Sequence, residues 1–160
     1  MIRARLLVYA ALAGAVIVLP ATSQAPPAPK TKTPPRLVPV AETKLIMEGI
    51  TNANFQGLEK LLKNKEVDAE GWTFARGQAL LIAESANLLM LRPPRNSGQD
   101  NWMKSASELR DAAGAYARTL ATRDLERSRT GLSQLANSCN SCHQMFNVKT
   151  RVSAFSVAVP

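Results

Sequence analysis

The 160-residue sequence is poor in the residues from which most catalytic and metal sites are made: two cysteines, one histidine, and aromatic residues at 5%. Each scarcity excludes something. Two cysteines and one histidine supply three zinc-type ligands, short of the four that a structural zinc site takes. Eight glycines form no loop suited to cradling phosphate. No run of strand-like alternation appears, and no apolar run reaches the roughly 18 to 20 residues that a membrane-spanning helix takes.

What is present is concentrated. Both cysteines and the histidine fall in one stretch, Cys139-Asn140-Ser141-Cys142-His143, the spacing of a c-type haem attachment signature. That chemistry needs two thiols to add across the two vinyl groups of one porphyrin, and an imidazole beside them to reach the iron. A helix supplies the spacing, because residues i, i+3 and i+4 share a face. Cys139 and Cys142 are therefore the expected thioether positions of one covalent haem c. His143 is the expected proximal iron ligand through a neutral imidazole nitrogen. Two other readings of the cysteine pair stay open. A thioredoxin-like Cys-x-x-Cys opens a helix after a buried strand, whereas this pair lies late in a helical segment. A plain disulfide three residues apart is awkward but can be bridged. With the lone histidine given to iron, no base is left for a serine or cysteine nucleophile, and no enzyme activity is expected.

The N-terminal stretch indicates the compartment. Arg3 and Arg5 precede an apolar core from Leu6 to Leu19, Pro20 breaks it, and small residues at Ser23 and Ala25 favour cleavage after Ala25. Residues 1–25 read as a secretory signal peptide and imply a periplasmic protein; an uncleaved anchor is the alternative. Export agrees with the motif, because in bacteria haem is attached covalently outside the cytoplasmic membrane. Residues 26–40 are too rich in proline for helix or sheet and read as a linker, with a proline-recognition ligand as the sharper alternative. Residues 41–147 remain as one domain, followed by a tail at 148–160. The end of that tail, from Thr150 onward, is apolar and β-branched without a helical period, and no function is assigned to it.

Within the domain the apolar spacing is helical throughout. A first helix from about 41 to 63 carries Leu45, Ile46, Ile50, Ala53, Leu58, Leu61 and Leu62. A second begins near Ala69 and ends at Arg92-Pro93-Pro94. A third runs from about Gln99 to Ala121, and a fourth from Asp124 as N-cap to Phe146. Four helices of about 20 residues with short connections predict an all-α, antiparallel, up-down-up-down four-helix bundle, with haem bound near the C-terminal helix. Ala75, Gly77, Ala79, Ala83 and Ala86 would leave room for a flat group between helices, or simply allow close packing.

An exported chain, four helices and Cys139-x-x-Cys142-His143 near the end of the last one resembles the cytochrome c′ family, the class II c-type cytochromes. The resemblance covers residues 41–147 and is concentrated in Ala136 to Phe146, with a small polar lead-in and a Phe three residues after the His. One departure stands out: members usually carry Arg or Lys directly after that Phe, whereas this chain has Asn147. A propionate partner would then be sought among Arg76, Arg92 and Arg95, each equally readable as a solvated arginine. The resemblance also implies that a residue near the start of the first helix faces the iron. Met there gives a six-coordinate electron carrier, and an apolar residue leaves a five-coordinate iron open to NO or CO. Met47 is the candidate sixth ligand on a stripe with Ile50, Asn54 and Leu61. A one-residue slip would substitute Ile46 or Glu48, Ile50 could instead roof an open site, and a methionine on such a face also serves as core filler.

Charge adds a weaker indication. The formal balance is +8, or +6 once Arg3 and Arg5 are removed with the signal. A basic surface suits acidic redox partner proteins or anionic lipid headgroups; nucleic acid is not expected, since the cations are scattered and no reading motif is present. A homodimer is left open. The leading expectation is a single-electron carrier; a gas-binding haem protein and a thiol redox protein are the alternatives.

Overall fold

The computed structural model describes residues 36–155. The expected signal peptide, residues 26–35 of the linker and the last five residues of the tail lie outside them. Residues 36–40 are exposed and have no regular structure. The described residues are all-helical, without strands: α1 (Thr43–Ile46), a π-helical segment (Met47–Asn52), α2 (Ala53–Leu62), α3 (Ala69–Met90), α4 (Gln99–Leu120) and α5 (Leu125–Met145). Backbone angles stay right-handed helical through both junctions between α1 and α2, so these three form one first helix and the domain has four. None of the described helices is long and apolar enough to cross a membrane.

Local chemistry sets the boundaries. Asp68 accepts a hydrogen bond from the Gly71 amide at 2.7 Å, and Asp124 one from Arg127 at 3.0 Å. Each satisfies an otherwise orphaned donor at the start of α3 or α5, a contribution of about 1 kcal/mol apiece. At the far end of α5 the Val148 amide donates to His143 at 2.8 Å and the Asn147 amide to Gln144 at 3.3 Å. This is a Schellman closure, and it requires a left-handed residue at Asn147, whose φ is 54°. Asparagine tolerates that conformation better than a lysine or arginine would. The asparagine at position 147 therefore has a backbone reason.

The four helices pack around one core in an arrangement compatible with a helical bundle. The first helix lies against α3, α3 against α4, α4 against α5, and α2 against α5. Leu58, Leu62, Ile82, Leu120, Leu132 and Leu135 are the largest fully buried apolar side chains, each stabilising by about 1.5 to 3 kcal/mol. At one end Tyr116 lies over Gly131, where a Cβ would sit 2.7 Å from the ring, and its hydroxyl donates to the Ser128 carbonyl at 3.0 Å. At the other, Trp102 donates to the Leu89 carbonyl at 2.7 Å and meets Phe146 edge to face at 5.2 Å.

Three inward assignments need correction. Leu45 is 57% exposed and Ala53 is exposed; the buried stripe of the first helix is Ile46, Thr51, Phe55, Leu58 and Leu62. The step of five from Ile46 to Thr51 belongs to the π segment, whose wider turn shifts the inward face by one position. Gly77 is half-buried with open space where a Cβ would be, so it does not permit a close helix contact. Arg129, which helical spacing alone would leave as a solvated partner of Glu126, donates to the carbonyls of Leu62 at 2.9 Å and Asn64 at 3.1 Å, while pairing with Glu126 at 2.6 Å.

Candidate functional site

The last two turns of α5 carry Cys139, Cys142 and His143 as the spacing requires. Cys139 is buried, Cys142 and His143 are half-buried, and both thiols are free. Burial pushes the Cys139 thiol up to about 11, and the neighbouring Cys142 adds to the rise. Burial also raises Cys142, the nearby Ser105 hydroxyl works against the rise, and the Glu108 carboxylate adds to it. Both are therefore protonated at neutral pH, the opposite of the lowered pKa of an attacking thiol in a redox pair.

His143 is held from one side. Its Nδ1 lies 2.9 Å from the Thr150 carbonyl oxygen. A carbonyl has no proton to offer, so the neutral ring carries its hydrogen on Nδ1 and keeps the lone pair on Nε2. Metal-ligating histidines are typically fixed in this way, with the second nitrogen donating to a carbonyl. The donor set, two free thiols one helical turn apart and an imidazole nitrogen with its lone pair, has the chemistry that a covalently attached haem takes.

Hydrogen bonds place Met47 at the same end of the domain as the attachment motif. Arg92 at the end of α3 donates to the Ala41 carbonyl at 2.8 Å and to Leu88 at 2.5 Å, joining that end to the start of the first helix. Trp102 joins it to the start of α4, and Ser105 of α4 reaches the Met145 sulfur at 3.7 Å. Arg92 is thereby committed to backbone carbonyls, whereas Arg76 and Arg95 are exposed. Met47 is half-buried in the π segment, and the next residue of that segment, Glu48, is exposed and paired with Lys44. Its Sδ lies 3.7 Å from the Thr51 hydroxyl, which also meets Ser85 at 2.8 Å; Ser85 in turn donates to the Ile82 carbonyl at 2.7 Å. With the single Ser85 proton used on Ile82, the one Thr51 proton is shared between Ser85 and the methionine sulfur, which keeps at least one of its two lone pairs. Ile50 is half-buried beside it, and Asn54 spends its amide on the Ile50 carbonyl at 2.7 Å.

The α2 segment reaches α5, but α1 and the π segment do not. Residues 148–155 follow the Schellman turn back along α5. Asn140 pairs with Val152 in both directions, at 2.7 and 2.9 Å, and the Phe155 amide donates to Glu59 of α2 at 2.9 Å. Val152, Ala154 and Phe155 pack on the core. Two open surface hollows lie at the opposite end, one along Leu61, Asn64 and Val67, the other along Thr119, Glu126 and Gly131; neither borders Cys139, Cys142 or His143. Among the described residues no three His, Cys, Asp or Glu side chains gather to hold a bare metal ion. Sequence reasoning missed Thr150, Asn140 and Ser105. Only the asparagine at 147, a helix-stop residue after an apolar run, gave a local signal of the reversal that brings Thr150 back. Comparison of the chain with protein-family models, with curated proteins and with solved structures finds no match.

Proposed function

We propose that this chain is an exported, periplasmic class II c-type cytochrome, an antiparallel up-down-up-down bundle that carries single electrons through one covalent haem c. The observation that carries the reading is the imidazole of His143, one residue after the second of two free thiols on the same helix, with Nδ1 engaged by a carbonyl and Nε2 left with its lone pair. The antiparallel order is supported by contacts between opposite ends of successive helices: Thr51 in the first half of the first helix with Ser85 near the end of α3, Leu89 at the end of α3 with Trp102 at the start of α4, and Tyr116 near the end of α4 with Ser128 at the start of α5. Haem, when bound, supplies a one-electron iron couple. Cys139 and Cys142 tether it, His143 holds the iron, and the buried apolar surroundings limit water access.

On this reading Met47 is the sixth ligand, since its soft thioether is at the same end as Cys139, Cys142 and His143, and a sulfur that accepts from Thr51 still has a second lone pair. Residues 1–25 direct export and 26–40 space the domain from whatever precedes it. The basic surface steers docking to acidic redox partners. Protein made with the c-type maturation machinery tests the assignment of Met47. The wild-type ferric form is expected to be low-spin with a weak far-red sulfur-to-iron band, and the ferrous form to resist carbon monoxide. Met47→Leu is then expected to become high-spin and to bind the gas. A wild-type protein that is already high-spin and takes up carbon monoxide or nitric oxide would make this a gas-binding haem protein of the same fold, with Met47 as core.

A further inference from the structure

We propose that residues 148–155 are a positioning strap for the proximal ligand: the Thr150 carbonyl fixes His143 as the Nδ1–H tautomer and so reserves Nε2 for iron. The inference rests on the haem reading for its purpose but not for its geometry. Free neutral histidine prefers the proton on Nε2, the atom an iron ligand must leave bare. A side chain delivered in the wrong tautomer would have to shed that proton before coordinating. A carbonyl aimed at Nδ1 removes the difficulty, and hydrogen bonding there also makes Nε2 a stronger donor.

Three features hold this carbonyl in place. Asn147, in the left-handed region at φ 54°, reverses the chain. The amide of Asn140 pairs with both the N–H and the C=O of Val152, acting as a substitute peptide two residues past Thr150. Glu59 accepts from the Phe155 amide at 2.9 Å while bound to Lys63, also at 2.9 Å, which anchors the strap to α2. The strap therefore joins α5 to the first helix on the side of the histidine. Thr150 O also lies 3.2 Å from the Arg151 guanidinium, which donates to the Val148 carbonyl at 2.6 Å as well. The carbonyl has two lone pairs and accommodates both donors.

Because His143 is the only histidine in the chain, one imidazole accounts for the whole histidine signal in a nitrogen NMR spectrum of labelled full-length protein. Without haem, the neutral ring is expected to be the Nδ1–H tautomer. Val152→Pro removes the N–H that Asn140 accepts and touches no helix, and a stop after Asn147 removes the strap. Both are expected to shift the ring toward the Nε2–H form. In the haem-loaded protein, loss of the carbonyl weakens His143 as a donor to ferric iron more than to ferrous. About a tenfold change in their relative affinity, or about 59 mV upward for a one-electron couple, is the expected size. A full-length chain that shows the Nε2–H tautomer overturns the proposal whatever the variants do. So does a tautomer and potential that both variants leave unchanged. If the chain takes up no haem at all, the cytochrome reading fails while the tautomer still decides the strap. If haem attaches and the tautomer result is negative, only the strap fails.

Discussion

At one end of the domain Arg129 of α5 reaches across to the carbonyls of Leu62 and Asn64, and the edge of the Tyr116 ring abuts Gly131; at the other, α1 and the π segment stay away from α5, and residues 148–155 lie along α5. The first end is closed by direct helix contact and by a cation that caps carbonyls left over at a helix terminus. The second holds two free thiols, a half-buried imidazole, a methionine in a widened helical turn and the strap. The difference teaches where stability and chemistry are divided. The closed end fixes the helices, so that the open end can tolerate half-buried polar groups and a π turn that a uniformly packed core would not keep.

Substitutions at the two ends are expected to have different signatures. The largest loss should follow Leu132→Ala, which empties a fully buried position and is expected to lower unfolding stability by about 2 to 5 kcal/mol in denaturant titration, with the haem spectrum unchanged. Next comes an alkaline transition at the open end, setting in at lower pH than the one that buried Tyr116 gives the closed end. Cys139 is held at about 11 in the folded chain against an ordinary value of 9. Its folded-state pKa is raised, so the stability it contributes is fully present below pH 9 and is lost as pH rises towards 11. The difference is about 2 to 3 kcal/mol. Haem-free protein should therefore lose stability across that window. Cys139→Ala should abolish the thiol's part, and the thioether-bonded protein, with no thiol left to ionise, should lack it as well. An identical alkaline profile with and without attached haem would contradict this. The smallest effect is expected for Arg129→Ala, about 1 to 2 kcal/mol after allowing for its partial exposure. It should fray the end of α2 in hydrogen exchange while leaving His143 and its tautomer as they were.

What could be read in advance follows the range of the interaction. Asp68, Asp124 and Pro93-Pro94 act within a few residues of themselves, so the limits of α3 and α5 were legible to within a residue or two. That Cys139, Cys142 and His143 share one helix was legible for the same reason: their spacing is one turn. The first helix was misread where a six-residue π segment replaces the α period, because a 3.6-residue count moves Leu45 inward and misses Thr51. The strap was not legible at all. Its defining bonds link Asn140 to Val152 and Glu59 to Phe155, through backbone groups that every residue possesses and that leave no trace in side-chain pattern. The reach of Arg129 was not legible either, since its acceptors are carbonyls more than sixty positions earlier.

The account depends most directly on Cys139 and Cys142 carrying haem through carbon–sulfur bonds. Full-length protein produced with the c-type maturation machinery and extracted with acid and acetone measures this. The predicted result is colour that stays with the polypeptide, and that the Cys139→Ala, Cys142→Ala double variant releases completely. Colour that extracts fully from the wild-type chain, or a chain that acquires none, would contradict it.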